Sequence, residues 1–313
     1  MFEQLLSLNE VSINFNAGGV KILNIVLAII MFGVALGIKP ITFKEVFTKP
    51  KSIITGLFLQ WIGLPAVTFL LIFLLKDHIT PMVALGMILV ASCPGGNISN
   101  FMSSFSKGNT ELSVSMTTIT TIFAAIITPL NFATWGYFYQ KMLNNNMMEV
   151  PKISISFMNM FSEVIVLIGI PIILGLAFVK FFPNTTKKII KPFQWASLAF
   201  FVFMVVIAFA QNFQIFIDHI FYIFIIVLIH NFLALSLGFS GASLMRLPRR
   251  DKRSISIEVG IQNSGLALVL LFNPTIFPQE GIGGMLFITA WWGVWHIVSG
   301  LTVSSIFRAT KLT

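Results

Sequence analysis

Long apolar runs alternate with short polar connections along this chain, and the runs are too long to be strands. Nine can be marked, near residues 22–38, 53–75, 81–106, 111–139, 153–182, 189–212, 216–245, 254–279 and 282–307. Several contain windows of about 20 residues without a charge, the length an α-helix needs to cross about 30 Å of hydrocarbon. The pattern predicts an all-α polytopic membrane protein with nine transmembrane helices.

Two of the runs are interrupted. In "MILVASCPGGNISNFMSSFSKGN", Pro94-Gly95-Gly96 divides the third run into pieces of about twelve and nine residues, neither long enough to cross alone. Proline removes a helical donor and glycine is a poor helix former, so the backbone should unwind there. Gly260 and "QNSG" (262–265) do the same to the eighth run. Unwound backbone at membrane depth is tolerated where it is buried in protein or lines a watery cavity. One discontinuous helix in each half of a chain points to a transporter's binding site. Two kinks that serve packing alone are the competing reading.

The charges set the orientation. Of 313 residues, 56% are hydrophobic, and Lys and Arg outnumber Asp and Glu by 20 to 11. Summed over alternate connections, Lys and Arg number 16 on one side of the nine runs and four on the other. The basic side is the cytoplasmic one. The N-terminus is therefore expected outside and the C-terminus in the cytoplasm, as in a multi-pass protein of a bacterial inner membrane. The surplus of +9 is then a topology signal, and no nucleic-acid partner is expected. The first 20 residues lack the basic start and apolar middle of a signal peptide, so no cleaved leader is expected. A lone cysteine, Cys93, excludes an intramolecular disulfide and reads as a small buried core residue.

The chemistry sits in the interrupted runs. Glu258 lies in the eighth, where a carboxylate near the bilayer centre costs about 2.5–3.5 kcal/mol on insertion scales. Gln262 follows it by four residues, a spacing that shares one helical face. Ser113, Thr117 and Thr120 or Thr121 form a hydroxyl stripe in the fourth run; Ser99 and Asn100 open the second piece of the third; Gln60 lies deep in the second. One carboxylate among neutral oxygens suits a hard monovalent cation, Na⁺ or H⁺, rather than a soft metal or a divalent ion. Hydroxyls that bond helix to helix are the alternative for the Ser and Thr residues alone. That alternative fails for Glu258, since no Lys or Arg lies within a run away from its ends to pair with it.

"SCPGGNISNFMSSFSKGN" and "SISIEVGIQNSGLA", with "IIMFGVALGIKP" and "WHIVSG", closely resemble the bile acid:sodium symporter family, over residues 25 to 305. The resemblance implies two inverted repeats, here four and five helices in 1–139 and 153–313, the first helix of the first repeat being absent. It implies a core domain (53–139 and 216–307) with two crossing discontinuous helices, and a panel domain (22–38 and 153–212). It places one sodium among Ser99, Asn100, Ser113, Thr117 and Glu258. A second is placed among Gln60, Glu258, Gln262 and the backbone oxygens of Val259 and Ile261. Substrate contacts carried over are Gly96, Asn97, Asn263, Ser264 and His296. The pattern differs at residue 97, Asn here where many relatives have a smaller residue facing the substrate. The implied activity is sodium-coupled uptake of an organic anion, from a bile acid to a pantoate- or keto-acid-like carboxylate. No enzyme activity and no obligatory protein partner are expected.

Two rival readings fit some of these residues. An arsenite-efflux transporter of related architecture would pair Cys93 with Glu258. An intramembrane protease would use Ser240 of "GFSG" (238–241) with His296 as base, although their expected depths differ by roughly 9 Å at 1.5 Å per residue. His230 reads as an interhelical hydrogen-bonding residue, and Glu163 as an interfacial carboxylate.

Overall fold

The computed structural model describes residues 2–10, 31–37, 50–144, 164–211, 213–278 and 280–310, with isolated positions at 25, 28, 29, 161 and 162. Most of the first expected run, the connection after it, the segment 145–160 and Glu163 lie outside the described residues. Among the described residues the long elements are all helices. We number them α1 (Pro50–Leu74), α2 (Pro81–Ser92), α3 (Ile98–Phe105), α4 (Thr110–Ile122) and α5 (Ala124–Asn144). The second half supplies α6 (Ile165–Phe181), α7 (Pro183–Gln211), α8 (Phe213–Leu244), α9 (Arg249–Gly260), α10 (Ser264–Leu271) and α11 (Gly283–Ala309). α1, α11 and the Ile217–Leu244 part of α8 are each long and apolar enough to cross a membrane.

Both interruptions fall where the composition predicts them. α2 stops at Ser92 and α3 begins at Ile98; α9 stops at Gly260 and α10 begins at Ser264. Two expectations need correction. The fourth run, read as one helix over 111–139, is two helices bent by 74° at Phe123. Pro129 contributes, because its ring crowds the carbonyl four residues back, at Ala125, beside the bend. The eighth run begins earlier than 254: α9 starts at Arg249, so Arg249, Arg250, Lys252 and Arg253 of the basic cluster are helical.

Three close approaches hold the site elements in register. α2 crosses α11 at Gly86 and Gly284: a Cβ on Gly86 would lie 2.7 Å from Met285 Cα, and one on Gly284 2.8 Å from Val83 N. α8 meets α9 at Gly238, where a Cβ would lie 2.7 Å from Ser256 Cα. Small residues let backbones come this near, the principal route to helix association where lipid removes the hydrophobic drive. The "GFSG" stretch thus serves packing, with Ser240 exposed on α8. His230 bonds Thr68 Oγ1 at 2.7 Å, linking α8 to α1.

α1 is not a regular α-helix. Leu59–Gly63 form a π-helical turn, with the Leu64 N–H bonded to Leu59 O. Pro65 has no N–H to offer Trp61 O, and the Asn131 side chain of α5 supplies the missing donor at 2.8 Å. The extra residue in this turn sets the direction of Gln60, which is buried. Such π-bulges recur at functional sites.

Candidate cation and anion site

The two breaks are joined to each other. Gly96 N–H donates to Ile261 O, and Asn263 N–H donates to Pro94 O, both at 2.8 Å. Gly95 and Gln262 thereby form an isolated antiparallel bridge. Peptide groups freed by unwinding in one span thus find partners in the other, which is how irregular backbone survives at this depth. Two more freed groups go to side chains. Gly95 N–H donates to Thr120 Oγ1 at 3.3 Å, and Asn231 Nδ2 of α8 donates to Gly260 O at 2.7 Å.

Glu258 lies in the last turn of α9, 1% exposed. Ser99 Oγ from α3 and Ser113 Oγ from α4 donate to its Oε1. Thr117 Oγ1 lies 3.0 and 2.9 Å from its two oxygens. Asn100 Oδ1 completes the group, 3.0 Å from Ser113 Oγ and 3.3 Å from Thr117 Oγ1. All five residues expected for the first sodium are therefore brought together from three helices. Their three hydroxyls have one proton each, fewer than the oxygen–oxygen approaches to be bridged. An excess of lone pairs around one carboxylate is the electrostatic pattern that a hard cation relieves.

The second expected group is reached differently. Gln262 lies beyond the end of α9, after extended Ile261 (φ −110°, ψ 97°), and so does not share a helical face with Glu258. The helix ends at Gly260, where a Cβ would lie 2.3 Å from Leu235 Cδ2. Gln60 Nε2 donates to Gln262 Oε1 at 2.8 Å, and Gln262 Nε2 to Val259 O at 2.7 Å. Gln60 Oε1 is buried without a hydrogen-bond partner, an acceptor that a cation would satisfy. Ile261 O is engaged by Gly96, with a second lone pair free in principle. Gly95 adjoins both groups, bridging Gln262 while its Cα faces Glu258.

The starts of α3 and α10 frame the expected anion contacts. Asn97, the N-cap of α3, is exposed and makes no side-chain cap; Gly96 beside it is buried. Asn263 caps α10 by accepting from Leu266 N–H at 3.0 Å. Ser264 Oγ is buried and unpartnered. Exposed polar surface next to two helix N-termini, each with a positive dipole end, suits an anionic headgroup. His296 is buried on α11, with Nδ1 unpartnered. Cys93 is buried in the first break.

Sequence reasoning passed over Asn231 and Asn131, which satisfy carbonyls freed by a break and by a proline. Asn231 carries a weak signal, an amide in "LIHNFLAL" at mid-run. It is held by Ser299 Oγ, which donates to its Oδ1 at 2.6 Å.

Residues 24–219 match the family described as the Sodium Bile acid symporter family. The chain is 33% identical over 278 residues to the "Uncharacterized sodium-dependent transporter YocS" of Bacillus subtilis, covering 89% of this chain and 80% of that one. It is 29% identical over 295 residues to the hepatic sodium/bile acid cotransporter of Rattus norvegicus, 92% of this chain and 76% of that protein. With the probable chloroplastic sodium/metabolite cotransporter BASS1 of Arabidopsis thaliana it shares 25% identity, and it spans 57% of that protein. The chain belongs to the sodium bile acid symporter family, which consists of sodium-dependent transporters and not enzymes.

Proposed function

We propose that this protein is a symporter that couples inward sodium flow to uptake of a small organic anion by alternating access. The observation that carries the reading is the buried Glu258 carboxylate ringed by the oxygens of Ser99, Asn100, Ser113 and Thr117. One sodium is assigned to that ring. A second is assigned to Gln60 and Gln262, with Glu258 and the backbone oxygens of Val259 and Ile261 completing it. Glu258 then serves as counter-charge to both, which answers why a carboxylate is kept in so apolar a run. Sodium drawn between α3, α4 and α9 fixes the crossing, and the crossing fixes Asn97, Asn263 and Ser264 around the anion, with Gly96 and His296 beside them. Anion affinity is thereby tied to sodium occupancy.

In this reading nine spans form inverted repeats of four and five. A core (53–139 and 216–307) moves against a panel (22–38 and 153–212), exposing the same site first outside and then to the cytoplasm. The N-terminus is outside and the C-terminus cytoplasmic, in a bacterial inner membrane. The substrate is a bile acid or a smaller pantoate- or keto-acid-like carboxylate. The protease reading is disfavoured by the exposed position of Ser240, in a stretch whose Gly238 packs against α9. The arsenite reading is disfavoured by the family and by oxygens that it leaves without a role.

Thermal unfolding in sodium against choline buffer tests the assignment, for wild type and Glu258→Gln, with a panel of organic anions. A ligand that binds only the folded form raises stability by mass action, by about 2.7 kcal/mol at one hundred times its Kd. Sodium is expected to stabilise wild type and not the variant, and the anion that adds stability only with sodium names the substrate class. Equal sodium stabilisation of both proteins overturns the assignment.

A further inference from the structure

The cytoplasmic half of α9 carries two buried charged side chains that the sodium assignment does not use. Asp251 and Arg253 are each 4% exposed. Asp251 accepts from Ser52 Oγ of α1 at 2.6 Å and from Asn109 Nδ2 at 2.8 Å. Asn109 is the N-cap of α4: its Oδ1 accepts from Leu112 N–H at 3.1 Å, which fixes the orientation of its amide. Its carbonyl accepts from Ser113 N–H at 3.1 Å and from Ser254 Oγ at 2.9 Å. Arg253 lies two residues further along α9. Its guanidinium donates to Ser106 O at 2.8 Å and to Thr310 O at 3.0 Å. Ser106 and Thr310 are the C-caps of α3 and α11. One buried cation is therefore placed at two helix C-termini, the negative ends of both dipoles.

These bonds form a ladder that ends at the sodium oxygens. On α9 the rungs are Asp251, Ser254 and Glu258, spaced by three and four residues; on α4 they are Asn109, Ser113 and Thr117, spaced by four. Both series follow one helical face. The lower rung joins Asp251 to Asn109, the middle joins Ser254 to Asn109 O, and the upper joins Glu258 to Ser113 and Thr117. Arg253 adds the third ligand-bearing helix, α3, held one turn beyond Ser103 and two beyond Ser99. The helices that supply the cation oxygens are thus fixed to one another about two turns below Glu258.

We propose that Asp251 and Arg253 are positioning residues for the sodium site: through Asn109 and Ser106 they set the register of α4 and α3 against α9, and so the spacing of the oxygens around Glu258. The inference rests on the assignment of sodium to Glu258. Residues that orient metal ligands without touching the metal typically cost 10–100-fold in affinity when replaced. The experiment is sodium titration of uptake in proteoliposomes, with sodium-free thermal stability measured beside it, for wild type, Asp251→Asn, Arg253→Ala, Arg253→Lys and Ser254→Ala. Asp251→Asn and Arg253→Ala are expected to raise the half-saturating sodium concentration roughly tenfold. The anion KM at saturating sodium stays within about twofold, and Arg253→Lys, which keeps the positive charge at the two helix C-termini but loses the planar fork, recovers only part of the loss. Ser254→Ala removes the middle rung with little change of shape; a severalfold rise in its sodium requirement supports the ladder even if Asp251→Asn does not fold. Variants that lose thermal stability yet titrate sodium as wild type does would overturn the proposal and leave the sodium assignment standing. A wild type indifferent to sodium would instead remove the assignment itself.

Discussion

Gly95 occupies a position where a single methyl group would be felt. A Cβ there would lie 2.8 Å from Glu258 Oε2, closer than such atoms approach, and the neighbour is a carboxylate already held by three hydroxyls. Gly95→Ala is expected to raise the sodium requirement of uptake at least roughly tenfold, about 1.4 kcal/mol. Gly136→Ala is the control, since its Cβ would meet nothing nearer than Leu85 Cδ2 at 4.0 Å and uptake should be unchanged. At this scale much of the site was legible in the sequence. Glu258, Ser99, Ser113, Thr117 and Gln60 stand out because a polar group in an apolar run has a desolvation penalty that only a partner removes. Asn131 and Asn231 did not stand out in that way. Their task depends on which carbonyl a proline or a break has freed on another helix, and linear spacing does not encode that.

The π-turn of α1 carries the element-scale prediction. Pro65 withholds an amide from Trp61 O, and the helix accommodates one extra residue just where Gln60 must reach Gln262. Pro65→Ala restores that amide and favours ordinary α register, which would turn Gln60 away by about 100°. Two proposed sodium sites make a sigmoidal sodium activation curve the expectation for wild type, and Pro65→Ala should make it hyperbolic while transport persists; the same curve for both would show that the turn does not set Gln60. The breaks were readable because Pro-Gly-Gly and Gly-rich stretches oppose helix wherever they occur. The bend at Phe123 was not, since Pro129 lies six residues on and the stretch around the bend, "IFAAII" (122–127), is apolar and holds no Gly or Pro. The start of α9 was misjudged for the opposite reason: five basic residues in eight look like a loop, yet the helix takes in four of them, Arg249, Arg250, Lys252 and Arg253.

For the whole molecule, the proposed assignment of two sodium ions to one monovalent anion would carry one net positive charge inward. Each elementary charge gains about 2.3 kcal/mol per 100 mV, so an inside-negative potassium diffusion potential should speed uptake in proteoliposomes. Uptake indifferent to the imposed potential would mean an electroneutral ratio of one to one. The charge pattern along the chain supports an orientation and an approximate count of spans. Which helices touch is a different matter. The α2–α11 crossing depends on Gly86 meeting Gly284's end of another helix nearly two hundred residues away, and many glycines in the sequence look equally available.

The paired breaks carry one more consequence, for amide hydrogen exchange. The N–H groups of Gly96 and Asn263 lie outside any helix, next to the exposed Asn97, where rapid exchange with solvent would ordinarily be expected. Each is instead bonded across the crossing, so neither can exchange until the two broken spans part. These two protons are therefore a clock for separation of the spans. If the crossing travels as one rigid body they should stay protected through continuous turnover, exchanging no faster with sodium and substrate present than in the resting protein.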